Sequence, residues 1–283
     1  MNKLILLFSS LIISFSIQAQ SFKPSEVVNF KEVGDKDFLQ LHFFLPPGFK
    51  KNDGQKRPAI VFFFGGGWSG GSPKQFFAFA DHLAKQGMVA ISAQYRTKKS
   101  HKVNPSSCVK DGNSAIRWVR ENAAVYGIDP NKIAAGGGSA GGHVAAATAT
   151  TTKFEEESEK LSISSQPNLL VLFNPVVDNS EKGYGYSRVK DYWQDFSPLH
   201  NIHKETPASI FFLGSNDSLI PVSVAKDWDA KIKAQGKDSE YHISEGQKHG
   251  FFNYKAKEKD GGKTYQEIIT KMDAFLKKNG YLK

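Results

Sequence analysis

The chain has 283 residues, of which 40% are hydrophobic, 12% aromatic and 23% charged, a balance that excludes a disordered polymer, a collagen and a coiled coil. The formal charge is +9, but only five of the 37 basic residues are arginine (Arg57, Arg96, Arg117, Arg120, Arg188), whereas phosphate recognition favours the bidentate arginine fork. The lysines are scattered over helix-like segments, so the excess charge describes a solvated basic surface with weak attraction to anionic polymers and argues against nucleic-acid binding.

Taken in chain order, Lys3, the largely apolar block Leu4–Phe15 and then Ser16-Ile17-Gln18-Ala19 have the layout of a secretory signal. The block is too short to span a bilayer, which takes about 20 residues, and no later segment is apolar enough for stable membrane insertion. Cleavage after Ala19 leaves residues 20–283 as a single domain, exported to the periplasm or the medium. The only cysteine, Cys108, rules out an intrachain disulfide framework and a cysteine metal cluster; it is expected to be buried and inert. Strands are expected at Phe38–Leu45, Ala59–Phe64, Met88–Gln94, Ile133–Ala135, Leu169–Phe173, Ser209–Leu213 and Ser239–Ile243. Helices are expected at Pro73–Gln86, Pro105–Tyr126, Ala140–Thr151, Val222–Gln235 and Thr264–Asn279. Runs such as Ile60–Phe64 lack period-two alternation and read as strands covered on both faces. The strand–helix alternation therefore predicts an α/β fold, a mostly parallel sheet with helices on both sides, and ligands beyond the carboxyl ends of its strands. The polar stretch Asn179–His203 interrupts this pattern. With Tyr184, Tyr186, Tyr192 and Trp193 it reads as an inserted lid or pocket wall.

Two glycine-rich loops hold ten of the 25 glycines. In the first, Gly137-Gly138-Ser139-Ala140-Gly141 follows a strand and opens a helix. A nucleophilic serine needs a turn so sharp that its neighbours must be almost free of side chain, and the helix that follows points N–H groups at the same spot. In the second, Phe64-Gly65-Gly66-Gly67-Trp68 ends an apolar strand and supplies amides that can face a developing negative charge. Neither loop has the frame of a dinucleotide or phosphate-binding motif. Downstream, Asp217 lies in the loop after the Phe211–Leu213 strand, and His249 in the loop Glu245–Phe251 after the next. The order serine, acid, histidine is that of a nucleophile, its base and the base's orienting carboxylate. His200 and His203 form an H-x-x-H pair without a third ligand at zinc spacing, and His143 is expected to pack behind the serine. No metal or cofactor is required.

These residues resemble the α/β-hydrolase superfamily, and more narrowly secreted bacterial esterases of the hormone-sensitive-lipase-like and acetyl-xylan-esterase-like branch. Tyr95-Arg96, Trp118-Val119-Arg120-Glu121-Asn122, Gly127-Ile128-Asp129-Pro130 and Ser139-Ala140-Gly141-Gly142-His143 match habitual features of that branch over nearly the whole mature chain. One departure is Phe64, which stands where the family often has histidine before the three glycines. The resemblance implies a serine esterase with Ser139, Asp217 and His249 catalytic and the amides of Gly66, Gly67 and Ala140 as the oxyanion hole. It further implies removal of acetyl groups from plant or algal polysaccharide or its oligosaccharides, with feruloyl or general short-chain esterase activity as the alternative. Trp68, Tyr184, Tyr186, Tyr192 and Trp193 are the candidates for stacking on sugar. The reading from another class is a non-catalytic carbohydrate-binding protein on a hydrolase scaffold. Sequence leaves the oligomeric state open.

Overall fold

The apolar runs become a sheet covered on both faces. A computed structural model describes residues 21–254 and 260–283; the expected export signal falls outside the described residues. Among those residues the strands are β1 (Glu26–Gly34), β2 (Asp37–Phe44), β3 (Arg57–Phe63), β4 (Val89–Ala93), β5 (Ile128–Gly138), β6 (Leu169–Phe173), β7 (Ser209–Gly214) and β8 (Ser239–Ser244). The helices are α1 (Phe77–Lys85, entered through a 3₁₀ turn at Pro73–Phe76), α2 (Lys98–His101), α3 (Pro105–Glu121), α4 (Ala140–Thr150), α5 (Tyr186–Val189), α6 (Trp193–Phe196), α7 (Val222–Ala234) and α8 (Lys263–Lys278).

The sheet runs in the order β1-β2-β4-β3-β5-β6-β7-β8. All pairs from β4 to β8 are parallel, while β1–β2 and β2–β4 are antiparallel. Alternate residues of β3 feed opposite layers. Ile60 and Phe62 pack with Phe76, Phe79 and Leu83 before and on α1 and with Met272 and Phe275 of α8. Val61 and Phe63 pack with Val109 and Ile116 of α3, Val144 of α4 and Trp228 of α7. This double coverage explains the missing alternation in the sequence.

Beside the short helices α2, α5 and α6, which were not expected, three departures from the sequence reading have a visible cause. The edge strand β1 was not expected. Its inward positions include Val28 and Phe30, but Val27 is exposed and irregular pairing around Asn29–Lys31 and Glu32–Gly34 interrupts the register. A half-buried edge strand with such breaks carries little hydrophobic signal. Strand β5 starts at Ile128 rather than Ile133, because Ile128 pairs with Arg57 of β3 ahead of a register shift that leaves the polar residues between Ile128 and Ile133 without β3 partners. Helix α3 stops at Glu121 rather than Tyr126, where the Asn122 side chain donates to the Trp118 carbonyl.

Cys108 is buried, its thiol donates to the Arg96 carbonyl at 3.2 Å, and burial pushes its pKa up, which keeps it protonated. The carboxyl ends of β5 to β8 lie side by side, with Gly138 opposite Phe173, Phe173 opposite Phe212 and Gly214 opposite Ser244. Loops leaving this edge carry Ser139, Asn174, Asp217 and His249.

Candidate active site

Ser139 sits between β5 and α4 with φ 54° and ψ −120°, a positive φ that non-glycine residues seldom adopt. Its neighbours hold it there. A Cβ on Gly137 would collide with the Gly141 and Phe63 carbonyl oxygens, and one on Gly141 with those of Phe63 and Phe64. Only bare backbone lets α4 approach β3 and β5 closely enough for the hydroxyl to project above the sheet. The Ser139 N–H donates to the Phe173 carbonyl at 2.9 Å, fixing the turn from the side.

His249 reaches this hydroxyl from the loop after β8, with Nε2 2.9 Å from Ser139 Oγ. On the far side of the ring, Nδ1 lies 2.7 Å from Asp217 Oδ2. The other Asp217 oxygen, Oδ1, accepts the backbone N–H groups of Leu219 at 2.8 Å and Ile220 at 3.1 Å. Its side chain is fully buried while that of His249 is 22% exposed. A buried carboxylate satisfied in this way fixes the tautomer with Nδ1–H, leaving Nε2 as a lone-pair acceptor for the serine proton.

The glycine loop after β3 is braced from three directions. The Gly65 N–H donates to Gln75 Oε1 at 2.6 Å, and Gln75 Nε2 donates to Asn253 Oδ1 at 2.8 Å. Asn253 Nδ2 in turn donates to the Gly250 carbonyl at 2.7 Å, so side chains link this loop to the histidine loop. From above, Arg188 Nη1 donates to the Gly67 carbonyl at 2.7 Å. From below, the Phe64 ring stacks on Tyr95 at 4.1 Å between centroids, and Tyr95 Oη donates to the Phe64 carbonyl at 2.5 Å. Phe64, the departure from the resemblance noted above, thus supports the loop by aromatic packing. With φ of 134° and 60°, Gly66 and Gly67 adopt turns suited to glycine. Among the described residues nothing accepts from the N–H groups of Gly66, Gly67 or Ala140, whereas that of Gly65 is taken. Gly66 and Gly67 line the same cleft as Ser139, and Ala140 opens α4 directly after it, at the positive end of that helix.

A cleft of about 410 Å³ opens over Ser139 and His249. Its lining mixes the side chains of Ser69, Gln75, Asn174, Tyr184, Arg188 and Asn253 with Leu219 and Phe252, and exposes about as much apolar as polar surface. Of the five aromatic residues expected to contact substrate, only Tyr184 lines it. Trp68 is 2% exposed and packs on His143 and Phe196 at centroid distances of 5.1 and 5.7 Å. Tyr192 packs on Phe154 and Phe196, and Trp193 edge-on against His200. Tyr186 opens α5 away from the cleft lining. Trp68, Tyr192 and Trp193 are corrected to packing positions, because apolar surface in and beneath the insert is buried against itself, and Tyr186 is corrected to a place outside the cleft lining. The insert Asn179–His203 forms a wall of the cleft, pinned where Asn179 Nδ2 donates to the Tyr184 carbonyl and where His143 Nε2 donates to the Phe196 carbonyl at 3.0 Å. Complete burial lowers the His143 pKa to about 3, so the ring is neutral. His200 bonds the Ser197 hydroxyl and His203 lies against Glu205.

Asn174 was missed by sequence reasoning. Buried at the end of β6 with φ 34°, it places Oδ1 3.3 Å from the Gly250 N–H and Nδ2 3.3 Å from His249 Nε2. A polar residue directly after an apolar strand and before Pro175 was the available signal. Gln75 and Asn253, 178 positions apart, had none.

The fold and this site define an α/β-hydrolase of the serine carboxylesterase class. Residues 43–232 match the profile of the BD-FAE family, and the chain belongs to that family. Similar solved structures include the apo form of esterase 2 of Thermogutta terrifontis, 39% identical over 93% of this chain and 98% of that one, with a TM-score of 0.86. The same esterase with butyrate bound superposes with a TM-score of 0.84, at 39% identity over 91% of this chain and 95% of that one. Among curated proteins, esterase LipC of Mycobacterium tuberculosis is 27% identical over 69% of this chain and 53% of its own length. Carboxylesterase NlhH of the same species is 35% identical over 34% of this chain and 28% of its own. The chain thus spans about half of LipC and about a quarter of NlhH.

Proposed function

We propose that this protein hydrolyses short-chain carboxylic esters of polar alcohols through an acyl-enzyme, with acetylated plant or algal saccharides as its natural substrate class. His249 takes the proton of Ser139 as the hydroxyl attacks the ester carbonyl. Asp217 holds the imidazole and stabilises the imidazolium. The amides of Gly66, Gly67 and Ala140 receive the tetrahedral oxyanion. His249 then returns the proton to the leaving alkoxide, and water enters by the same steps to release the acid.

The observation that carries this reading is the continuous bonding of Asp217, His249 and Ser139 beside three uncommitted amides. The small cleft, rimmed by hydrogen-bonding side chains such as Ser69, Gln75, Asn174 and Arg188, supports a short acyl group and a hydroxylated leaving group over a long lipid chain. The Thermogutta terrifontis esterase with propionate or butyrate bound supports the same acyl range. The expected signal at residues 1–19 supports an exported enzyme, in keeping with a polymeric substrate outside the cell.

A chain-length series of p-nitrophenyl esters, run beside acetylated xylan, tests the proposal. The expected result is a maximum at acetate to butyrate, acetate release from the xylan, and a loss of at least about 10⁴-fold in kcat with Ser139→Ala. A maximum at long acyl chains, or activity that survives Ser139→Ala, contradicts it.

A further inference from the structure

We propose that Tyr184 and Arg188 form a carboxylate-binding subsite at the rim of the cleft, so that the preferred esters carry an anionic group close to the scissile bond. The inference rests on the esterase reading above and specifies its substrate.

The arginines of this chain differ in how they are used. Arg57, Arg96 and Arg117 pair with Asp53, with Asp111 and with Glu155 and Glu159. Arg120 distributes its N–H groups over the carbonyls of Pro130, Ser164 and Gln166 and the side chain of Asn168. Arg188 is the exception: among the described residues it has no acidic partner and a single hydrogen bond, to the Gly67 carbonyl. It is exposed, yet its guanidinium is held in place, with Cζ 5.1 Å from the Trp68 ring and 5.0 Å from the Tyr184 ring.

An arginine that only tied the insert to the glycine loop would turn its fork onto that loop. Here one N–H does the tying, and the remaining donors belong to a side chain that lines the cleft. Tyr184 stands beside it. A Cβ built on Gly67 would lie 3.1 Å from Tyr184 Oη and 3.5 Å from Arg188 Nη1, so phenol and guanidinium converge at the loop that bears the candidate oxyanion amides. Among the described residues no aspartate or glutamate lines the cleft, and the chain's formal charge of +9 favours the approach of anions. A pre-fixed fork beside a hydroxyl donor matches a carboxylate, and its rigidity lowers the entropic cost of binding one.

The test is kcat/KM at low ionic strength for two matched pairs, with uncatalysed hydrolysis subtracted. Mono-O-acetyl galacturonic acid against its methyl ester places the carboxylate on the alcohol side. Mono-p-nitrophenyl adipate against p-nitrophenyl hexanoate places it on the acyl side. Wild type is expected to favour the anionic member of at least one pair by about fivefold or more, and the pair that responds identifies the side. Arg188→Gln should bring that ratio to within about twofold of unity, and Arg188→Lys should retain part of it. Ratios near unity for both pairs in the wild type, or a preference that survives Arg188→Gln, would overturn the subsite while neutral esters continued to turn over. If neither neutral nor anionic esters are hydrolysed, the esterase reading itself fails.

Discussion

The turn around Ser139 and the insert Asn179–His203 border the same cleft, yet the side-chain roles of the first could be read from sequence, whereas for the second only its place as a pocket wall and Tyr184 could. At the turn, each residue type answers a demand imposed within a few residues or by the adjoining strand. Gly137 and Gly141 have no room for a Cβ against the carbonyls of Phe63, Phe64 and Gly141, and backbone crowding of that kind dictates sequence wherever the turn occurs. In the insert, an aromatic side chain serves a sugar or a hydrophobic cluster equally well, and its direction depends on contacts far along the chain. Tyr192 and Trp193 went to Phe154, Phe196 and His200, as Trp68 on the glycine loop went to His143 and Phe196 beneath the insert. Composition marked the insert as aromatic; only the packing said which way the rings face.

The first way to break this comparison is to load the tighter region. Gly141→Ala should destabilise the protein by at least about 4 kcal/mol or prevent folding, since the clash is with backbone and cannot be relieved by a rotamer change. Chemical denaturation measures it, and a loss below about 1 kcal/mol would mean that the turn is not held by crowding.

The second prediction concerns His143, which lies where the two regions touch. Burial lowers its folded-state pKa from the ordinary 6.5 to about 3, and burial also lowers those of His42 and His242. Between these limits the unfolded chain binds more protons than the folded one, so stability is complete above about pH 6.5 and falls as the pH drops toward 3. For His143 alone the loss across that window is on the order of 4 kcal/mol. Thermal melts from pH 7 to pH 4 should fall steeply in wild type and less steeply in His143→Phe. Equal slopes would show that the ring is not kept neutral by its surroundings.

Aromatic residues in and beneath the insert provide the remaining contrast. Trp68→Ala empties a fully packed site and should cost about 3 kcal/mol of stability. Tyr186→Ala, away from the cleft lining, should change stability by less than about 0.5 kcal/mol and leave KM for p-nitrophenyl acetate within about twofold. A large rise in KM for Tyr186→Ala with stability unchanged would return that ring to the substrate.

The same division describes the rest of the molecule. Strands β3, β4, β6 and β7 were legible because they are buried on both faces, whereas β1 was hidden by exposure of Val27 and irregular pairing at a sheet edge. The loops holding Ser139, Asp217 and His249 were legible from chain order and strand ends. The residues that brace them were not, because Gln75, Asn174 and Asn253 act through contacts between loops distant in sequence. Sequence pattern reports local crowding and periodicity; it carries no record of a hydrogen bond made across 178 positions.

The central claim is that Ser139 is made nucleophilic by His249 and Asp217 beside free amides. Its most direct test is a fluorophosphonate reaction followed by intact-protein and peptide mass spectrometry. The esterase 2 of Thermogutta terrifontis has been captured phosphorylated by paraoxon, and the reagent class demands an activated serine. The account predicts one adduct per chain, located on Ser139, absent in Ser139→Ala and strongly slowed in a folded His249→Ala variant. A folded wild-type protein that takes no label, or takes it on another residue, would contradict it.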